Sequence, residues 1–226
     1  MSTPPAAPTR RPAARRRPTA PPLHVVLVPG LGDRSRWLVG LQRALLGTWR
    51  RPGVRTSVFR VGWSTGAAFD DRVAALLDHV AAAEARGRQV VLVGCSAGAG
   101  AALAAFARHR GLAAVVLVTG KFHDPSAIPG PVLAHNDVFD ESLRTVPALL
   151  DRLGPGDRAR ILSLRARVDT VIPDDDPVVP GAVNEEMPVV GHVLAIGFAL
   201  ALRGRRVVRF ARAAAARPDD LARPAP

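Results

Sequence analysis

Apolar runs and helix-spaced apolar stripes alternate along this chain from residue 23 onward. Leu23-His-Val-Val-Leu-Val28 is a short, almost unbroken apolar run, which reads as a core strand. Trp37, Leu38, Leu41 and Leu45 recur at helical spacing and predict a helix over 36–46. Val54 to Val61 alternates imperfectly and predicts a second strand. Phe69, Val73, Leu76, Leu77 and Val80 share one face of a helix over 67–86, which Gly87 ends. Val90-Val-Leu-Val93 is another buried strand, and the Ala-rich run after Gly98 is a helix closed by Gly111. Leu112–Val118 and Ile161–Val168 predict the fourth and fifth strands, and Met187–Val190 a short sixth. Between the fourth and fifth strands lies a proline-punctuated connection, 121–160, with a helix expected from about 137 to 153. Helices over 192–202 and 205–216 complete the pattern.

This alternation predicts an α/β chain with a parallel, roughly six-stranded sheet and helices on both faces. Such sheets bind ligands beyond the carboxyl ends of their strands. Pro29-Gly-Leu-Gly32, the 62–66 loop, Ser96, Asp169 and His192 all directly follow predicted strands. They therefore converge on one edge, which is the reason to treat them as one site.

Gly94-Cys-Ser96-Ala-Gly98 stands between the third strand and its helix. A serine on so sharp a strand-to-helix turn has a strained backbone and an outward hydroxyl. The flanking glycines leave room for the neighbouring strand and helix, and the helix start directs free amides and its positive dipole end to the same place. These features suit attack on a carbonyl. The bland alternative is a tight turn in which Ser96 only caps the helix.

A serine nucleophile needs a base of near-neutral pKa, which points to histidine. His192 follows a strand end and a glycine; His123 and His135, in the long connection, are second choices; His24, His79 and His109 read as surface or packing residues. The histidine in turn needs a carboxylate. Asp169 sits rigidly at the end of the fifth strand, and Asp176, in a similar Asp-x-x-aliphatic-Pro context, competes with it. The run Asp174, Asp175, Asp176 reads as a solvated loop rather than a cation site. No cofactor and no metal is expected.

Serine, aspartate and histidine in that chain order, each after a successive strand, are the pattern of the α/β-hydrolases. From about 23 to 203 the chain resembles that superfamily, in its Pro29–Gly32 loop with a following Trp37, Gly94–Gly98, Val168-Asp169 and Gly191-His192. The short sheet is similar to that of small lidless bacterial lipases, and Pro29 replaces the histidine common in the first loop. The resemblance implies a serine hydrolase of carboxylic esters or thioesters. Ser96 would be nucleophile, Asp169 acid and His192 base, with the backbone amides of Leu31 and Ala97 as oxyanion hole. A catalytically silent member of the fold, acting as a binding or scaffold module, is the reading from a different class.

Composition changes this picture little. The formal charge of +12 invites a nucleic-acid reading, yet the charge is concentrated at the ends. Residues 1–22 hold five Arg and no acid, and residues 203–226 hold seven Arg against Asp219 and Asp220. The body between is nearly balanced, so no specific nucleic-acid partner is expected, and the substrate is a small acyl ester. The 1–22 arm, rich in Pro, Arg and Ala, is expected to be disordered, 23–212 to form the domain, and 213–226 to be a flexible tail. Cys95 alone forms no internal disulfide and reads as packing. No apolar run approaches the ~18 residues of a membrane span, and no secretory signal is evident; a cytoplasmic location is the default expectation.

Overall fold

The computed structural model describes residues 21–123, 128–173 and 176–216. Residues 1–20 of the expected disordered arm and 217–226 of the expected tail, together with Asp174 and Asp175, lie outside them.

Among the described residues six strands form one sheet: β1 (Leu23–Val28), β2 (Val54–Val58), β3 (Gln89–Cys95), β4 (Ala114–Val118), β5 (Ile161–Val168) and β6 (Val183–Val190). Their order is β2-β1-β3-β4-β5-β6, and every neighbouring pair is parallel. The predicted architecture is the observed one. Val, Leu and Ala fill the central strands and are buried on both faces, because helices cover each side.

Among the described residues there are eight helices: α1 (Arg36–Gly47), α2 (Phe69–Glu84), α3 (Gly98–Arg108), α4 (Gly130–Ala134), α5 (Asp137–Asp151), α6 (Pro155–Arg158), α7 (His192–Leu202) and α8 (Gly204–Ala215). One core holds Phe69, Val73 and Leu76 of α2, Leu103 and Phe106 of α3 and Val146 of α5. The other holds Leu46 of α1, Ala195 and Leu200 of α7 and Val207 of α8. Trp49 locks the second face: its indole N–H donates to the Leu200 carbonyl at 2.6 Å. Gly204 leaves the space for that ring, since a Cβ there would stand 2.5 Å from it.

Several elements differ from expectation, β2 among them, which ends at Val58 rather than Val61. β6 begins at Val183, not Met187. As the edge strand it carries charge: Glu185 pairs with Arg206 and Glu186 with Arg165, which hides it from an apolar search and protects the edge from pairing with other chains. Helices α4 and α6 are short turns in a connection that reads as irregular. No helix among the described residues is long and apolar enough to cross a membrane.

Candidate active site

The loops after the strands meet at one edge because the strands are all parallel. Ser96 is the sharpest point on that edge. Its φ of 53° is in the left-handed region, one of two such non-glycine residues among those described. The turn is held by neighbours that have no side chain. A Cβ on Gly94 would lie 2.6 Å from the Ala99 Cα, and one on Gly98 would run into the Val28 carbonyl. The Ser96 amide donates to the Val118 carbonyl at 3.0 Å, which ties the turn to the end of β4. Ser96 itself is half-buried.

The loop after β1 crosses directly over this serine. A Cβ built on Gly30 would stand 2.9 Å from the Ser96 Cβ and 3.3 Å from its Oγ. Leu31 is therefore the next residue along a backbone already in contact with the nucleophile candidate. Among the described residues, the Leu31 and Ala97 amides donate to no backbone acceptor. Two amides left free beside a hydroxyl can receive negative charge.

Two groups hold the first loop in place. The Asp33 carboxylate accepts the Gly62 amide at 2.7 Å, and the Trp63 indole donates to the Pro29 carbonyl at 3.2 Å. Burial raises the Asp33 pKa above its ordinary value, against the pull of that amide and of Arg60. The 29–34 and 62–66 loops are thus one unit, a link the sequence pattern does not show.

His192 opens α7 after Gly191, whose φ of 99° permits the turn and whose amide donates to the Val168 carbonyl at 2.8 Å. The His192 Nδ1 lies 2.8 Å from the Asp169 Oδ2, with side-chain exposures of 9% and 4%. A carboxylate only accepts, so Nδ1 carries the proton and Nε2 is left as acceptor. The other Asp169 oxygen accepts the amides of Val171 and Ile172, at 2.8 and 3.1 Å. Asp169 is thereby fixed from both sides. Among the described residues no hydrogen bond joins the Ser96 hydroxyl to the His192 ring.

The competing residues pair with one another instead. Asp176 is buried and bonds the buried Lys121 ammonium, the chain's sole lysine. It also accepts the Phe122 and His123 amides, and His123 Nδ1 contacts both its carbonyl and its carboxylate. Burial alone would raise the Asp176 pKa, yet the His123 and Lys121 hydrogen bonds bring it below the ordinary value. The same bond to Asp176 raises His123 against its own burial. This cluster clasps the loop after β4 to the loop after β5. Its tie to Ser96 is by backbone: the Lys121 amide donates to the Ser96 carbonyl at 3.3 Å. The one signal for it in the sequence is a single lysine kept in an arginine-rich chain; a compact ammonium suits a closed pair with one carboxylate better than a planar fork does.

His135 is exposed, and its Nδ1 bonds the Pro131 carbonyl at 2.7 Å. His24 and His79 share Ser57, and His109 pairs with Glu84. Cys95 is fully buried, and burial pushes its thiol up to about 12. Among the described residues no group of three or more His, Cys, Asp or Glu side chains is placed to hold a metal.

No protein-family model matches the chain, and no curated protein matches it by sequence. Solved structures do match it. A structure described with two metagenome-derived lipolytic enzymes superposes with a TM-score of 0.65 at 15% identity, covering 85% of this chain and 94% of its own. The esterase domain of a Rhodothermus marinus protein gives 0.55 at 16%, covering 87% and 88%. A monoacylglycerol lipase of Paleococcus ferrophilus gives 0.56 at 14%, covering 84% and 94%. At these identities the likeness is one of fold: the chain has the α/β-hydrolase fold.

Proposed function

We propose that the chain is a serine hydrolase of carboxylic esters, thioesters included. Ser96 attacks the acyl carbon as His192 Nε2 takes its proton. Asp169 holds the ring in the tautomer that leaves Nε2 free and stabilises the imidazolium that forms. The amides of Leu31 and Ala97 receive the oxyanion; losing one such donor typically costs about 3 kcal/mol. The alcohol or thiol leaves with the His192 proton. Water, activated by the same imidazole, then releases the acid from the acyl-enzyme.

The observation that carries this reading is the buried His192–Asp169 pair on the edge where Ser96 stands in its strained turn. The fold neighbours whose names include lipase or esterase support ester bonds as the substrate class. The silent-scaffold reading draws on the missing hydrogen bond between Ser96 and His192. In many hydrolases that bond tightens only with substrate bound.

A fluorophosphonate probe separates the two. Labelling of the wild-type protein that vanishes in Ser96→Ala, with hydrolysis of p-nitrophenyl butyrate lost in parallel, is the expected result. No labelling of the wild type, or labelling that survives the substitution, overturns the assignment.

A further inference from the structure

The exposed large apolar side chains of this protein are concentrated around the candidate site. Trp37 is 71% exposed, Val193 72% and Leu194 68%. Leu41, Val168 and Val190 are exposed beside them. Among the described residues only Val183 and Leu202, at the far edge of the sheet, break this pattern.

The packing of α1 on α7 explains why they lie together. Both helices start at the carboxyl edge of the sheet and run the same way, joined at their lower ends by the Trp49–Leu200 hydrogen bond. Leu41 precedes Trp49, and His192 precedes Leu200, by the same number of residues, about two helical turns. Leu41 therefore lies toward the His192 end of α7, and Trp37 one turn nearer the carboxyl edge. Val168 is the register partner of Val190, directly before Asp169 and Gly191. The apolar rim is thus continuous with the His192–Asp169 pair. Monomeric soluble proteins seldom expose large side chains in one such patch without a use for it.

Charge and composition indicate what covers the patch. Arg34 and Arg36 are exposed along the rim. Among the described residues the carboxylates of the loops that carry it, Asp33 and Asp169, are turned inward; Glu185, lower on the same face, is paired with Arg206, and Asp70 and Asp71 start α2, on the opposite face. The ends of this sequence are poor in large apolar side chains. Residues 1–20 contain no Leu, Ile, Val, Phe or Trp, and residues 217–226 contain one leucine. A second copy packed symmetrically would bring the same arginines against each other and would close the site.

We infer that this rim seats the protein on the surface of a lipid aggregate bearing anionic headgroups, and that the esters it cleaves are presented there. The inference rests on the ester-hydrolase reading above and adds where the substrate is met. Tryptophan prefers the boundary between headgroup and acyl chain. Apolar insertion combined with arginine attraction to anionic lipid gives stable but reversible binding. An ester at that boundary lies at the depth of the rim, where Ser96 stands.

The test is co-sedimentation with vesicles of ether-linked lipids, which no esterase consumes. One set is phosphatidylcholine alone; the other contains one quarter phosphatidylglycerol. Wild type is expected to pellet with the anionic vesicles and severalfold less with the neutral ones. Trp49 and Trp63 are buried, so a blue shift of tryptophan emission on binding reports Trp37. The triple variant Trp37→Ser, Val193→Ser, Leu194→Ser should bind at least tenfold more weakly, while its melting temperature and p-nitrophenyl butyrate hydrolysis stay near wild type. Failure of wild type to pellet, equal binding by the triple variant, or a wild-type dimer that the substitutions split overturns the inference. Equal binding to both vesicle types overturns its anionic part. Vesicle binding without fluorophosphonate labelling would overturn the hydrolase reading instead, so the two failures are distinct.

Discussion

Gly30 and Ser96 touch across two loops: any Cβ on Gly30 would come 2.9 Å from the Ser96 Cβ. The missing side chain lets the loop that carries Leu31 lie against the nucleophile candidate. Gly30→Ala must push one loop from the other. Since the Gly30 backbone is extended rather than left-handed, the substitution acts through the contact and not through strain. Expected is a fall in kcat on the order of 100-fold, the lower end of what losing one oxyanion donor costs, with a small change in melting temperature. Steady-state kinetics on p-nitrophenyl butyrate check it.

The two candidate acids should fail in different ways. In Asp169→Asn the amide oxygen can still accept the Val171 and Ile172 amides, so the fold persists. The His192 tautomer is lost, and kcat should drop by about 10⁴-fold. In Asp176→Asn the Lys121 ammonium is left buried without its counter-charge, a change that costs about 3–5 kcal/mol, and the melting temperature should fall on the order of 10 °C. Removing the buried charge as well while keeping an acceptor for the Phe122 and His123 amides, Lys121→Met with Asp176→Asn, should recover most of that loss. Thermal melts and kinetics on the three variants decide between them.

How much of this was legible in the chain depended on whether a residue's work was local. The parallel six-stranded sheet with helices on both faces, and the serine turn at the end of its third strand, follow from periodicity and from which residues end strands; the order of the strands in the sheet does not. Asp33 and Lys121 were not legible as site residues. Each acts on a loop far away in sequence, Gly62 in one case and Asp176 in the other, and spacing along the chain carries no trace of such a partner. β6 was half-legible because Glu185 and Glu186 answer to Arg206 and Arg165 rather than to an apolar core.

Stability should fall in mild acid. His24, beside Ser57 and His79, has its pKa lowered to about 4 by burial first and then by Arg88 and His79. His79 is lowered by burial as well. Unfolded, both histidines bind protons near 6.5; folded, they resist until lower pH. The unfolded state therefore holds more protons between about 6.5 and 4, and stability drops as pH falls through that window. His123 has the opposite sign: raised by Asp176, it contributes below 6.5, and that contribution is lost as pH rises through its folded value. A melting temperature lower by a few degrees at pH 4.5 than at pH 7 is expected, and His24→Gln should reduce the difference.

Cys95 immediately precedes Ser96 and yet should take no part in chemistry. Side chains alternate along β3, so the residue beside an outward hydroxyl points into the sheet's packing. There the thiol meets Val93, Val118 and Leu164 in one core, and burial holds it protonated up to about 12. The thiolate is the reactive form, so neither access nor ionisation is available near neutral pH. Native protein should react with iodoacetamide at a negligible rate, and one equivalent should be taken up after unfolding in guanidinium chloride. Cys95→Ala should keep p-nitrophenyl butyrate hydrolysis within about twofold, since it removes only a small apolar volume. Rapid native alkylation that stops hydrolysis would mean that the thiol, and not the hydroxyl beside it, faces the substrate.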